Sequence, residues 1–368
     1  MERKIWRDFD FVLLGATLAL TGLGIATIHS ATINSSGLEE VTSRQAIYAL
    51  VGLVLMLAVA TFDYNALENM AGLTYGLMIA SLVIVFVVGE ITHGSRRWID
   101  LGPFPLQPSE LAKVLTVIVL SKFFSHRAEE GWHFWHFLLS FLIIAPPAML
   151  IYLEPDLGTA VVLLVVWVGM SLAAGMKLLH LGIAGGLALL SLPLLWNALR
   201  GYMQHRIISF LFPSLDPMGM GYNLHQALIA IGSGGLLGKG FASGSQSQLH
   251  FLRVRHTDFV FSVLAEELGL VGVFILFGLI ILILWRTLRA ARLARDSFGY
   301  FLAWGMAVIL FFQSFVSIGM NLGLMPTTGI PLPFICYGGS SLITFLLGQG
   351  LVQSVVMRHR RPDFQQEP

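Results

Sequence analysis

Apolar residues run along this chain in long blocks separated by short polar stretches. The pattern shows neither the alternation of a half-buried strand nor the single stripe of a soluble helix. A bilayer-crossing helix needs about 20 such residues. The blocks predict ten spans, at 9–29, 46–62, 70–88, 106–124, 135–153, 158–174, 178–199, 260–285, 301–323 and 340–357. The fourth carries Glu110 and Lys113, and Pro146-Pro147 predicts a kink in the fifth. The first block is longer than the apolar stretch of a signal peptide and nine more follow, so it reads as a retained span.

Composition narrows the class. Of 368 residues, 56% are hydrophobic and 12% charged, with a mean hydropathy of +0.77. These values exclude a soluble enzyme and a disordered chain. The net charge of +1 gives no basic field for nucleic acid. The one cysteine, Cys336, cannot form an internal disulfide, and no zinc-finger or HExxH spacing occurs. The expected fold is an all-α polytopic membrane protein, a single integral membrane domain over 1–368 with about ten transmembrane helices. Ten spans put both termini on one side. The segments on that side carry 13 Lys and Arg, against 3 in the short loops opposite, which predicts cytoplasmic termini. The large segment 200–258, between helices 7 and 8, is then extracytoplasmic, and the tail 358–368 reads as frayed.

Several polar stretches carry candidate chemistry. Asp258, in Arg-Val-Arg-His-Thr-Asp (253–258), stands where the chain re-enters the eighth span. A partly desolvated carboxylate beside Arg255 can act as a base, and an Asp before an apolar run also suits a helix N-cap. Glu266 and Glu267, two turns further on, must include one that faces a cavity or a partner. In Gln-Pro-Ser-Glu-Leu-Ala-Lys (107–113), Glu110 and Lys113 share a helix face. Such a pair either lines a functional site or braces the bundle. In Gly-Ser-Arg-Arg-Trp-Ile-Asp-Leu-Gly (94–102), the arginines can fork onto phosphate, or be solvated beside a Trp98 anchor. Asp156, in Glu-Pro-Asp-Leu-Gly (154–158), is explained by turn chemistry. Gly-Ser-Gly-Gly-Leu-Leu-Gly-Lys-Gly (232–240) fails both nucleotide-loop patterns. Its backbone amides and Lys239 still suit a diphosphate, and a flexible connecting loop is the other reading. His133 and His136 have ligand-like spacing but sit among tryptophans, and no metal is expected there. The uncharged, Pro- and Gly-rich loop 325–341 is tolerated at membrane depth only if it is buried or lines a cavity.

Seven motifs occur in order: GSRRWIDLG at 94–102, QPSELAK at 107–113, EPDLGT at 154–159, AIGSGGLLGKG at 230–240, GSQSQLHFL at 244–252, RHTDFVFSVLAEELGLVG at 255–272 and GIPLPFICYGGSS at 329–341. Together they resemble the SEDS family (shape, elongation, division and sporulation) from Phe9 to Met357. Within it, RHTDF and IPLPF are more like the RodA branch, which serves elongation, than the FtsW branch, which serves division. Two positions depart from the RodA-like pattern. Arg253-Val254 stands where Pro-Glu is common, and Cys336 stands where Ser is usual.

The resemblance implies a peptidoglycan glycosyltransferase that polymerises lipid II on the outer face of the bacterial cytoplasmic (inner) membrane. Its partner would be a class B penicillin-binding protein supplying transpeptidation. The family's essential aspartate falls on Asp258, its polar pair on Glu110 and Lys113, and its arginine before tryptophan on Arg97. An α-linked donor and a β-1,4 product fit one inverting displacement, with Asp258 as base and cations on the departing diphosphate. Arg97, Arg206, Lys239 and Arg255 are the outer-face candidates for that role. The diphosphate supplies the driving force, so no ATP site is needed, and a divalent cation (Mg2+ or Mn2+) at Asp258 stays open as a cofactor. A lipid II flippase or lipid-linked transporter is the alternative. A scaffold that only recruits the partner is a third reading.

Overall fold

The computed structural model describes residues 6–33, 35, 37–92, 95–99, 102, 105–127, 134–190, 196–197, 199, 201–212, 216, 219–252 and 254–359. The tail from 360 onward, Arg253 and His133 lie outside these residues. In chain order the helices begin with α1 (Phe11–Thr32), α2 (Val41–Thr61) and α3 (Tyr64–Val88). A hairpin of β1 (Glu90–Thr92) and β2 (Ser95–Trp98) follows. Next come α4 (Pro108–Ser125), α5 (Phe134–Leu153), α6 (Leu157–Ala173) and α7 (Leu178–Leu190). The segment between α7 and the eighth predicted span holds α8 (Gly201–Leu211), α9 (Met220–Ser233) and the one-turn α10 (Ser245–Gln248). The chain closes with α11 (Val260–Leu293), α12 (Ser297–Asn321) and α13 (Gly339–Met357).

Each of the ten predicted spans overlaps a helix of the described residues, the seventh only as far as Leu190. Among the described residues, seven helices are long and apolar enough to cross a bilayer: α1, α2, α3, α5, α11, α12 and α13. The other three fall short for separate reasons. The 18-residue α4 carries Glu110, Lys113 and Lys122. The helices α6 and α7 have 17 and 13 residues. The chain is a multi-pass, almost wholly helical membrane protein, and among the described residues its strands are those of the short hairpin pairing Glu90 with Trp98.

Local grammar accounts for most helix boundaries. Asp10, Asp156 and Asp296 cap α1, α6 and α12 by accepting from the amides of Leu13, Thr159 and Gly299. Asp296 also accepts from the Tyr64 hydroxyl at 2.7 Å, joining α3 to α12. Pro108 opens α4 at its first turn, where a missing amide costs nothing. The helix α5 runs unbroken through Pro146-Pro147. Pro147 cannot donate to the Ile143 carbonyl four residues back, and the Tyr75 hydroxyl of α3 donates to it at 3.1 Å.

The helices α12 and α13 form the buried centre, and α13 packs most extensively against α2. The charged helix α4 is held inside by α3, α6, α12 and α13. At the end that holds the N-terminus of α1, Arg286 of α11 donates to Asp10 at 2.7 Å. There too the Asp10 amide and carbonyl exchange bonds of 3.0 and 2.8 Å with Gln353 of α13.

The longest element, α11, is broken. Gly269 has φ 63° and ψ −162°, outside the helical region. The glycine-rich loop 234–240 repairs the break. Its Lys239 and Gly240 amides donate to the Glu266 and Glu267 carbonyls, both at 3.0 Å. In return the Leu270 and Val271 amides donate to the Gly235 and Leu236 carbonyls, at 3.0 and 3.2 Å. These bonds replace helix bonds lost at the break. Lys239 adds an ion pair of 2.7 Å to Glu266, which also accepts from the Gln246 amide and the Ser245 hydroxyl. Glu267 accepts from Ser30 at 2.5 Å. Glu267 and one carboxylate oxygen of Glu266 are therefore held by protein partners, while Glu266 Oε2 is buried without one.

Gly238 has φ 78°, and a Cβ there would lie 2.1 Å from the Glu267 carbonyl oxygen. Gly238→Ala is expected to destabilise the protein by about 3 kcal/mol or more, since left-handed backbone alone costs roughly 1–2 kcal/mol and backbone must also move. Gly278→Ala, on an open face of the same helix, is the control and should be near neutral. Thermal unfolding in detergent compares the two; equal midpoints would show that the splice does not hold α11.

Candidate active site

Five chain segments meet at a polar cavity of about 170 Å³. The hairpin contributes Arg97 and Trp98, α4 and its approach contribute Glu110 and Gln107, and the α5–α6 turn contributes Asp156. The turn before α11 brings Thr257 and Asp258. The segment between α12 and α13 closes the wall with Gly329, Pro331, Cys336, Tyr337 and Gly338, joined by Ser341 in the first turn of α13. All five belong to motifs singled out in the sequence. The other two motifs, at 230–240 and 244–252, brace the break in α11 instead.

Asp258 does not cap α11. The N-cap residue is Phe259, and no side chain caps that end. The Asp258 carboxyl is thus left for the cavity. Burial pushes its pKa up, and Arg206 pulls it partly back. Its main chain is held from α12, where the Asn321 amide donates to the Asp258 carbonyl at 2.9 Å. The Asn321 side-chain oxygen accepts from the Ser262 hydroxyl at 2.7 Å and the Ser262 amide at 3.3 Å. Asn321 therefore sets where Asp258 sits, and sequence reasoning missed it. A lone amide at the end of an apolar span was the available signal.

The neighbouring turn is fixed as firmly. The Tyr337 amide donates to the His256 carbonyl at 3.0 Å. Gln45 of α2 donates to the Cys336 carbonyl and accepts from the Gly338 amide, each at 3.2 Å. Burial and Arg255 hold the His256 imidazole below its usual pKa, so it is neutral at pH 7.

At the cavity floor, Glu110 and Lys113 are 3% and 1% exposed and form an ion pair of 2.8 Å. The Lys113 ammonium lies 5.5 Å from the centre of the Phe345 ring. Glu110 touches the cavity, and Lys113 stands behind it. Asp156 accepts from Thr159 and, at 3.3 Å, from the side chain of Gln107.

The four candidate cations separate. Arg97 lines the cavity, and its Nε donates to the Glu154 carbonyl at 2.8 Å. Arg206 of α8 lies 5.7 Å from the Tyr202 ring centre, with one Nη beside Gly329 on the cavity wall. Its Nε is buried with no hydrogen-bond partner. Arg255 points elsewhere, donating to the Ala31 carbonyl at 2.5 Å and to Ser35 beyond the end of α1. Lys239 is engaged by Glu266, and its loop spends the Lys239 and Gly240 amides on α11, so this end of the 232–240 segment serves as a structural splice. Among the described residues no group of three or more His, Cys, Asp or Glu is placed to hold a metal ion.

Asn321→Ala leaves the Asp258 carbonyl and Ser262 without their partner. A loss of about 1–3 kcal/mol in unfolding free energy is expected. Chemical denaturation in detergent reads it, and an unchanged transition would remove Asn321 from the support of Asp258.

The chain matches the FtsW/RodA/SpoVE family model, described as a cell cycle protein, over residues 11–361. It is 39% identical to the peptidoglycan glycosyltransferase MrdB of Escherichia coli (strain K12), covering 94% of this chain and 93% of that relative. Identity is 38% to the probable peptidoglycan glycosyltransferase FtsW of Nitrosococcus halophilus (strain Nc4), covering 96% and 93%. It is 32% to the peptidoglycan glycosyltransferase RodA of Treponema pallidum (strain Nichols), covering 95% and 98%. Among solved structures, a chain from work on the coordination of polymerization and crosslinking by a peptidoglycan synthase complex superposes with a TM-score of 0.83 at 34% identity, covering 96% and 99%. The crystal structure of the Thermus thermophilus rod shape determining protein RodA gives 0.72 at 33%, covering 96% and 98%. Match length, identity and superposition agree, and the chain belongs to the FtsW/RodA/SpoVE family, the SEDS family that its motifs resemble.

Proposed function

We propose that this protein is a peptidoglycan glycosyltransferase that polymerises lipid II on the outer face of the bacterial cytoplasmic membrane during cell elongation. Its partner in this reading is a class B penicillin-binding protein, the crosslinking enzyme. The observation that carries the reading is the Asp258 carboxyl, unused as a cap, at a polar cavity that Arg97 lines, with Arg206 beside Gly329 of the wall and acting on Asp258. The relatives' names support the activity, and the synthase complex supports a crosslinking partner. Identity to MrdB and FtsW relatives is nearly equal, so the elongation role rests on the RHTDF and IPLPF motifs.

In the proposed step the acceptor sugar hydroxyl attacks the anomeric carbon of the donor. The new C–O bond forms as the bond to the diphosphate oxygen breaks, and the electron pair leaves with the diphosphate. Asp258 takes the hydroxyl proton, and its raised pKa makes it a stronger base than an exposed carboxylate. Arg97 and Arg206 neutralise charge on the departing diphosphate. Glu110 and Lys113 form a rigid polar floor whose net charge is zero. Arg255 and Lys239 play no part, because their donors are committed elsewhere. Among the described residues, a Mg2+ or Mn2+ ion at Asp258 would find no second free carboxylate lining the cavity. Glu110 is paired with Lys113 and Asp156 caps α6, so the remaining ligands would come from substrate oxygens and water.

With a partner whose own active site is disabled, purified protein given lipid II should yield glycan polymer on a gel. Asp258→Ala should lower the rate by about 10²–10⁴-fold while leaving folding intact. Near-normal turnover by the folded variant would overturn the assignment of the base. Lipid II crossing vesicles with no polymer formed would favour a flippase.

The base must be ionised to act, so activity should fall as pH drops through a limb set above the usual carboxylate range. Arg206→Gln removes the charge that opposes burial and should move that limb to still higher pH. A limb unmoved by Arg206→Gln would separate the two residues.

Glu110→Gln and Lys113→Met should each cost about 3–5 kcal/mol of stability by leaving a buried charge unpaired. The double variant should recover much of that loss. Strictly additive losses in a double-mutant cycle would mean that the two charges act separately.

A further inference from the structure

Glu154 is a buried ionisable group that the proposed step leaves unused. It follows α5 and opens the Glu-Pro-Asp-Leu-Gly turn. It is 1% exposed, and neither carboxyl oxygen has a hydrogen-bond partner. Its backbone, by contrast, is fully used. The Glu154 amide donates to the Leu150 and Ile151 carbonyls, and its carbonyl accepts from Arg97. Arg97 also donates to the Pro155 carbonyl, as does the Tyr202 hydroxyl of α8. Among the described residues, the charged groups that act on the Glu154 carboxyl are Asp156 on its own turn and Arg97 from the hairpin, with the Tyr202 hydroxyl of α8 on the adjoining Pro155 carbonyl.

Two facts about this arrangement belong together. A buried carboxylate with no donor is strongly disfavoured, so the group keeps its proton. Burial, with Asp156 adding to it, pushes the Glu154 pKa up to about 8 against the pull of Arg97. Meanwhile the Arg97 guanidinium is anchored by two neutral carbonyls, which orient it without cancelling its charge. A carboxylate at the same place would do both.

We propose that Glu154 is a positioning residue carried as the neutral acid, so that Arg97 is held by backbone carbonyls and offers an uncompensated charge to the diphosphate of a lipid-linked substrate. This rests on the reading of Arg97 as a diphosphate contact. Once Glu154 loses its proton, the new anion competes for Arg97 and weakens diphosphate binding. The linkage has a definite sign. The folded protein holds this proton to higher pH than the unfolded chain does. The Glu154 contribution to stability is therefore fully present below the ordinary value of 4.5 and is lost as pH rises toward about 8.

The test measures binding of undecaprenyl diphosphate to the detergent-purified protein from about pH 6.5 to about pH 9, for wild type and Glu154→Gln. Wild type and variant should bind within about two-fold of each other near neutrality. Above about pH 8 wild-type affinity should fall, by up to about tenfold per pH unit, while Glu154→Gln stays flat. An equal alkaline loss in Glu154→Gln, or weak binding by the folded variant at neutral pH, would overturn the proposal. Glu154→Met gives the same reading if the amide folds poorly. Infrared spectroscopy separates the two ways of failing. If the protonated-carboxyl band that Glu154→Gln removes is missing from wild type at neutral pH, Glu154 is ionised and the proposal fails directly. If the band is present but Arg97→Ala binds undecaprenyl diphosphate normally, it fails through its premise about Arg97.

Discussion

A polypeptide in lipid must satisfy its own amides and carbonyls, and this fold is arranged around one place where a helix cannot do so. At Gly269 the longest helix breaks, and the loop 234–240 lends it amides and takes back its own. That exchange fixes the first nine residues of α11 relative to the rest of the helix. Asp258 sits at the head of that short piece, so the candidate base inherits its position from the splice. The same economy recurs on a smaller scale in α5, where a tyrosine hydroxyl of α3 stands in for the amide that proline lacks.

The cavity shows a second economy, in charge. Most ionisable groups around it have either a partner of opposite sign or a reason to be neutral, and Asp156 spends its carboxylate on the cap of α6. Glu110 is balanced by Lys113, and Glu266 by Lys239. Half-buried His256 and buried Glu154 are held neutral at pH 7 by desolvation and their neighbours. What remains unbalanced at the walls is Asp258 and the two arginines, Arg97 and Arg206. Those are the charges that a proton transfer and a departing diphosphate require.

Much of this was legible in the amino-acid sequence. Blocks of apolar residues mark every helix that crosses or nears the bilayer, because lipid imposes length and polarity directly. The five motifs at the cavity were visible because buried charge, Pro and Gly are rare in such blocks. Three things were not legible. The role of Lys239 depends on Glu266, 27 positions away, and local spacing cannot reveal that pairing. Arg255 was placed beside Asp258 by sequence proximity, yet it turns toward α1 because the carbonyl of Ala31 needs a donor there. Asn321 acts through its amide alone, and an uncharged residue at the end of a span gives almost no signal. The hairpin that carries Arg97 is too short for its alternation to register.

The bonds around the cavity differ in kind from one side to the other. On one side Gln45 grips the backbone on both flanks of Tyr337, and Tyr337 is tied by main chain to His256. The helix α2, the segment before α13 and the turn before α11 thereby move as one block. On the other side Arg97 reaches the Glu154 turn through a side chain, and α8 reaches the same turn through one tyrosine hydroxyl. A chamber with one welded wall and one laced wall has a direction built into it. A bulky chain threading through would part the lacing, while the carboxyl on the welded side kept its aim from one cycle to the next.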